Sequence, residues 1–263
     1  MTTILQITDT HVVREGALVS NRLDTHAALG RLLDRIMSIR SQIGKVNAVL
    51  ITGDLSDDGS AESYIRLKAL LAPLDLPLLV IPGNHDARVP MRAAFADQFA
   101  PDGPLDWVRQ MGDLTVIGLD TLVEGHGYGT LSAHSLTFLQ TTLAQIGVAP
   151  VLLALHHPPF ASGIKFMDDI GLSNRVALCD VVSGHKGPLR IVCGHIHSMI
   201  VADVGGHIAI SAPSPCNTFA YDLRADAIVG FSTLEDGCLL HTWASGFKTI
   251  RIGPVAGPGP FPF

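Results

Sequence analysis

The chain has 263 residues, 47% of them hydrophobic and 16% charged, with a formal net charge of −6 at pH 7. So apolar a composition excludes long disorder, and this length suffices for one α/β domain with a sizeable core. No run of Lys or Arg stands out, which excludes a nucleic-acid polymer or an anionic membrane surface as the main partner.

Taken in chain order, apolar runs of strand length alternate with helical patterns. "TTILQIT" predicts a strand, and Asp24 then caps a helix whose apolar positions Leu29, Leu32, Leu33, Ile36 and Ile39 follow the 3.6-residue period. "NAVLIT" predicts the next strand, followed by a helix carrying Tyr64, Leu67 and Leu71, and "LPLLVI" a third strand ending at Pro82-Gly83. "LTVIGLD" and "PVLLALH" read as strands around a helix with Leu136, Leu139 and Leu143. "LRIVCGH" and "MIVADV" follow, and Gly205-Gly206 predicts a tight hairpin into "HIAISA". Two further strands are expected in "AIVGFSTL" and "CLLHTWA", joined by a turn at Asp236-Gly237.

The alternating first half predicts parallel βαβ units, and the turn-linked part at about 199–245 predicts antiparallel strands. An α/β sandwich of two mixed sheets between helices accommodates both. Residues 1–253 read as a single domain. The last ten residues, "PVAGPGPFPF", read as a tail and as a contact arm for a dimer or larger homo-oligomer. Cys179, Cys193, Cys216 and Cys238 are far apart and form no CxxC pair. They read as free thiols in a reducing compartment, with one disulfide as the other reading. No export signal opens the sequence and no run approaches the ~20 apolar residues of a membrane span, so a cytoplasmic protein is expected.

Almost every apolar run ends in a side chain able to hold a metal. These are Asp9 and His11, Asp54 after Gly53, Asn84-His85-Asp86 after Gly83, His156 and His157, and His195 and His197. Sites in open α/β sheets form beyond the carboxyl ends of the strands, so residues distant in sequence meet there. An isolated Asp after a strand is ordinarily a cap or turn former, and Asp57, Asp58 and Asp86 are read that way. His26, His126, His134, His185, His207 and His241 are read as ordinary satisfied polar residues. The remaining residues differ in recurring at one position of each unit. Nitrogen and oxygen donors without a neighbouring thiolate suit first-row divalent ions and argue against a closed structural zinc site. In "VCGHIHSM", His195 and His197 fall on one side of an extended chain, roughly 6–7 Å apart at Cα. That spacing is open to ligation of one ion, of two, or of none.

In order, "DTH", "GDLSDDG", "GNHD", "HHPP" and "GHIH" resemble the five-block signature of the calcineurin-like metallophosphoesterases. Within that superfamily they are similar to the class III cyclic-nucleotide phosphodiesterases and bacterial glycerophosphodiesterases. The blocks run from Asp9 to His197 with none missing. The resemblance implies a four-layer αββα sandwich and two divalent metal ions, drawn from Mn, Fe, Co or Zn. It places Asp9, His11, Asp54 and His197 on one ion, and Asp54, Asn84, His156 and His195 on the other, with Asp54 as the bridge. A carboxylate suits that role, having two oxygens to share and a negative charge between two cations. His85 would donate a proton to the leaving oxygen or steady the phosphoryl group. His157 would support His156.

Two ions about 3.5–4 Å apart can share and activate a water and clamp a phosphate. The implied reaction is therefore hydrolysis by direct attack of a metal-bound hydroxide on phosphorus. The substrate expected is a small phosphodiester, either a 3′,5′-cyclic nucleotide such as cAMP or a glycerophosphodiester. Ser/Thr phosphatases of the superfamily carry Arg at the place of Asp58, where an acid would repel a dianionic monoester, and purple acid phosphatases carry a Tyr ligand at the place of Asp57. The loop "FASGIKFMDDIGLSN" is expected to line the pocket, with Lys165, Asp168 and Asn174 contacting sugar or glycerol hydroxyls beside Asn84 and His85. The competing readings are a phosphomonoesterase of the same superfamily and a non-catalytic metal-binding scaffold. The scaffold reading predicts gaps in the ligand set, and there are none.

Overall fold

The computed structural model describes residues 1–224, 226–233 and 236–253. The tail at 254–263, expected above to be a contact arm, lies outside the described residues. Strand β1 (Thr2–Ile7) leads through helix α1 (Thr25–Ser38) to β2 (Ala48–Thr52), then through α2 (Ala61–Leu71) to β3 (Leu78–Ile81) and α3 (Arg88–Ala94). Next come β4 (Trp107–Met111), β5 (Leu114–Gly118), α4 (Ala133–Ile146), β6 (Val151–Ala154), α5 (Lys165–Asp169), α6 (Arg175–Ser183) and β7 (Leu189–Cys193). The chain closes with β8 (Val201–Val204), β9 (His207–Ser211), β10 (Thr218–Phe219), β11 (Phe231–Ser232), β12 (Cys238–Trp243) and β13 (Phe247–Ile252).

These strands form a five-stranded sheet in the order β13-β12-β1-β2-β3 and a six-stranded sheet in the order β4-β5-β6-β7-β9-β8, with β10 and β11 as a separate ribbon. Both large sheets are mixed. β1, β2 and β3 are parallel while β12 and β13 are antiparallel additions, and β5, β6, β7 and β9 are parallel while β4 and β8 are antiparallel edges.

Alternation along the apolar strands explains the layering. In the second sheet Val116, Leu152, Ala154 and Val192 pack into one core with the first sheet and the inner faces of α1 and α2. Their neighbours Ile117, Leu153 and Ile191 point the other way, onto Leu139, Leu143, Leu178 and Val182 of α4 and α6. Strands buried on both faces have to be near-continuously apolar, as these are. The layers are thus helix, sheet, sheet, helix, the architecture expected. Asp24 caps α1 by accepting from the Ala27 N–H, and Gly205 and Gly206, at φ +59° and +83°, form the two-residue turn from β8 to β9.

The expected hairpin between "AIVGFSTL" and "CLLHTWA" does not form. Among the described residues of the first run only Phe231–Ser232 is extended, and it pairs with β10. β12 instead lies between β1 and β13, in register from Thr2↔Trp243 to Gln6↔Leu239. Five of its six residues are buried, and two flanking strands provide that burial where a lone hairpin partner cannot. The four cysteines are free. Among the described residues no helix is long and apolar enough to cross a membrane.

Register places the functional loops. Thr52 pairs with Ile81 and Ile7 with Ile51, so β1, β2 and β3 finish along one edge; Ala154 likewise pairs with Val192.

Candidate metal centre

Beyond those strand ends the backbone turns sharply. Among the described residues, eight non-glycine residues have positive φ, and five of them are Asp9, His11, Asp54, His195 and His197. Such conformations cost about 1–3 kcal/mol each and persist where the surroundings over-determine them, typically at functional sites. The glycines before the side chains allow close packing: a Cβ on Gly83 would fall 2.2 Å from Asp54 Oδ1, and one on Gly194 would fall 2.1 Å from Thr8 Oγ1.

The polar atoms gather in two groups joined by one carboxylate. On one side His197 Nε2 lies 3.2 Å from Asp9 Oδ1 and 3.3 Å from His11 Nε2. On the other, Asn84 Oδ1 lies 3.1 Å from His156 Nε2 and 3.0 Å from His195 Nδ1. Between them Asp54 Oδ2 lies 3.4 Å from His156 Nε2 and 3.7 Å from His11 Nε2. Asp9, His11 and His197 form a group able to hold a metal ion, as do Asp9, Asp54 and His156. All seven side chains named from the sequence as ligands therefore meet. His195 and His197 face different groups.

The supporting contacts aim these atoms. His156 Nδ1 donates to the Thr52 carbonyl at 2.8 Å, which turns Nε2 toward Asp54 and Asn84. Asp9 accepts from the His195 N–H and from Thr8 Oγ1, and Asp54 Oδ1 from the His85 N–H at 2.8 Å. Asp9 and Asp54 are buried, which alone would raise their pKa values, but His197 beside Asp9 and His156 beside Asp54 outweigh burial and hold both carboxyls down. Burial opposes a charge on His156, yet Asp54 and Asp9 hold it up at about 9. Burial pushes His195 well down. His195 Nε2 and His197 Nδ1 are buried without a hydrogen-bond partner. Oxygen and imidazole donors converging this closely fit divalent first-row ions.

His157 is drawn into the cluster, grouped with His156 and His195, but both its nitrogens are engaged. Nε2 donates to the Gly127 carbonyl at 3.1 Å, so Nδ1 accepts from Thr121 Oγ1 at 2.8 Å. Burial lowers its pKa to about 3. It packs edge-on against His156 with ring centroids 4.9 Å apart.

Two acids read from the sequence as turn formers do more here. Asp57 Oδ1 lies 3.1 Å from His11 Nδ1 and 3.2 Å from His85 Nδ1, so one carboxylate orients a ligand-capable ring and its rim neighbour. Buried Asp86 accepts from Leu55 N, Ser56 N, Gly83 N and Tyr64 Oη, tying the Asp54 loop to the Asn84 loop. The signal available was their position inside the motifs "GDLSDDG" and "GNHD". Asp58 keeps its turn role, accepting from Ser60 N and Ser63 Oγ at the start of α2.

His85 is the exposed member, its side chain 41% accessible, and although burial opposes its charge, Asp54 and Asp57 hold it up at about 10. The three other substrate candidates make contacts of their own outside the donor cluster. Asp168 accepts from Ser162 N and Gly163 N, Asn174 bonds both backbone groups of Leu131, and Lys165 pairs with Asp169. Asp168 and Asn174 thus use their polar atoms to hold loops. Lys165 lines a cavity of about 240 Å³ with Ile164, Phe166, Phe219, Ile228 and Val229. Phe219 joins that cavity to the centre, its ring centroid 4.7 Å from that of His197.

A family model described as calcineurin-like phosphoesterase matches residues 2–199. The chain belongs to that family. This phosphoesterase chain is 34% identical over 265 residues to a probable glycerophosphodiester phosphodiesterase, GpdQ, of Arcobacter nitrofigilis, covering 98% of this chain and 96% of the relative. It is 33% identical over 219 residues to the 3′,5′-cyclic adenosine monophosphate phosphodiesterase CpdA of Pseudomonas aeruginosa, covering 82% and 77%. Among solved structures it resembles a dimetal phosphatase from Danio rerio, with TM-score 0.65 and 15% identity, covering 96% of this chain and 98% of that one. It also resembles a purple acid phosphatase from yellow lupin, with TM-score 0.68 and 12% identity, covering 95% and 51%. The two structural likenesses speak for the fold alone.

Proposed function

We propose that this phosphoesterase is a two-metal phosphodiesterase acting on small diesters, a 3′,5′-cyclic nucleotide or a glycerophosphodiester. The observation that carries the reading is the place of Asp54 Oδ2, 3.4 Å from His156 and 3.7 Å from His11, between two donor groups that share no imidazole. Asp9, His11, Asp54 and His197 would hold one divalent ion, and Asp54, Asn84, His156 and His195 the other. When bound, the ions would supply an activated water and neutralise charge on the phosphoryl group.

The chain's own residues do the rest. Asn84 contributes a neutral oxygen, leaving more positive charge on its side of the centre. His85, at the rim and protonated, donates a hydrogen bond to the phosphoryl group or a proton to the leaving alcohol, and Asp57 fixes its ring. Asp58, exposed beside the site, adds negative charge that disfavours a dianionic monoester. The cavity beyond Phe219 would take the alcohol part of the substrate. Names of relatives at 33–34% identity supply both substrate classes. Four free thiols suit a reducing, cytoplasmic compartment.

The test is a substrate panel on Mn²⁺-reconstituted protein: cAMP, cGMP, glycerophosphocholine and an aryl diester. Turnover of at least one biological diester, abolished by chelator, is expected. Turnover of none, with the fold intact, contradicts the reading.

A further inference from the structure

Gln6 is a fully buried amide in β1, where its neighbours Ile4, Leu5 and Ile7 are apolar and equally buried. Its Nε2 donates to Thr52 Oγ1 at 2.8 Å and to the Cys193 carbonyl at 3.0 Å. Its Oε1 lies 2.8 Å from His241 Nε2, and His241 Nδ1 lies 2.9 Å from Thr249 Oγ1, which also accepts from Arg190 at 2.9 Å. One assignment of hydrogens satisfies all these atoms. The Cys193 carbonyl only accepts, so the amide nitrogen faces it and Oε1 must accept from His241 Nε2–H. His241 Nδ1 then accepts from the Thr249 hydroxyl. An amide turned over would set two carbonyl oxygens against each other.

Thr52 ends β2 and Cys193 ends β7. Two residues past each stand Asp54 and His195, and the Thr52 carbonyl also accepts from His156 Nδ1. Gln6 itself is three residues before Asp9. One amide therefore joins the ends of three strands that deliver ligand-capable side chains, two from the first sheet and one from the second. A fully satisfied buried network of this kind fixes relative position.

We propose that Gln6 is a positioning residue that sets the separation of Asp54 and His195 across the two sheets. The C-terminal strands β12 and β13 take part in the metal centre by holding the amide through His241 and Thr249. Burial and the nearby Arg190 push His241 down to about 3, so the imidazole stays neutral, as the chain of donors requires. This inference rests on the two-ion reading of the site.

The experiment is calorimetric titration of metal-free protein with Mn²⁺, alongside thermal unfolding of the same metal-free samples. Gln6→Leu is expected to weaken one of two Mn²⁺ binding steps by about 10-fold, the size of effect usual for groups that orient ligands. His241→Leu leaves the amide oxygen without its donor, loosens the amide, and should weaken the same step. The double variant should be no weaker than Gln6→Leu, because both changes act through one amide. A Gln6→Leu protein with a lower melting temperature but unchanged Mn²⁺ steps would make Gln6 only a core residue and overturn the proposal. Should Gln6→Leu fail to fold, Thr249→Val at the far end of the chain decides in the same way: a weakened step supports it and an unchanged one overturns it. Wild-type protein binding fewer than two Mn²⁺ would overturn the two-ion reading and this inference with it. Two bound ions with insensitive variants would overturn this inference alone.

Discussion

His11 Nε2 and His197 Nε2, 186 residues apart in sequence, face each other at 3.3 Å inside the protein. At most one hydrogen can lie between them, and Asp9 Oδ1 stands 3.2 Å from His197 Nε2. A cation shared by all three relieves the opposition of lone pairs. Mn²⁺ should therefore stabilise the metal-free protein by about 2.7 kcal/mol at a hundred times its dissociation constant, by mass action. Thermal unfolding with and without chelator measures it, and an unchanged melting temperature contradicts the expectation.

Asp57 joins a buried ring to an exposed one through a single oxygen. Asp57→Ala should leave both His11 and His85 unoriented and lower kcat by about 10–100-fold with the fold intact. Steady-state kinetics and far-ultraviolet circular dichroism on the variant check this. Activity within about twofold of wild type would return Asp57 to the role of a turn former.

Asp106 lies apart from the centre. Burial, helped by the charge of Asp120, raises its carboxyl to about 6, and its Oδ2 is buried without a hydrogen-bond partner. A carboxyl raised on folding favours the protonated state. Its contribution is therefore complete below about pH 4, falls as pH rises, and is gone above about pH 6. Asp106→Asn keeps the acceptor for the Asp120 N–H without the charge. It should gain up to about 3 kcal/mol over wild type at pH 8 and little at pH 4. Urea unfolding at the two pH values measures the difference.

Burial raises Cys193 well above the usual thiol range and raises Cys216 and Cys238 to about 12, whereas Cys179 is half-buried on α6. Thiolate is the reactive form, so iodoacetamide at pH 8 should label native protein at Cys179 first. Peptide mapping that finds Cys193 or Cys238 labelled as readily would contradict the packing described.

Much of the site is legible in the sequence because each ligand-capable residue follows an apolar run, and β-register then brings the ends together without further information. His195 and His197 show where legibility stops. Their spacing permits one ion or two, and positive φ at both residues departs from the extended chain that the spacing assumes. Asp57 and Asp86 look like turn formers because a single sequence shows their local role and not the rings or loops they meet. His241 reads as an ordinary polar residue and Gln6 only as one position of the first strand, since their bond spans 235 positions. The misread hairpin has the same origin. Asp236-Gly237 is good turn chemistry, but the nonlocal pairing of β12 with β1 and β13 buries more. β13 went unpredicted because all its residues but Ile252 are exposed or half-buried, with Lys248 and Arg251 among them.

A centre of two donor groups bridged by Asp54 should hydrolyse diesters in preference to monoesters. Initial rates of Mn²⁺-loaded protein on bis(p-nitrophenyl) phosphate and on p-nitrophenyl phosphate, with Asp54→Ala as control, test it most directly. The account predicts faster cleavage of the diester, loss of activity with chelator, and a fall beyond about 100-fold in the variant, more than loss of an orienting group produces. Faster cleavage of the monoester, or turnover indifferent to chelator and to Asp54, would contradict it.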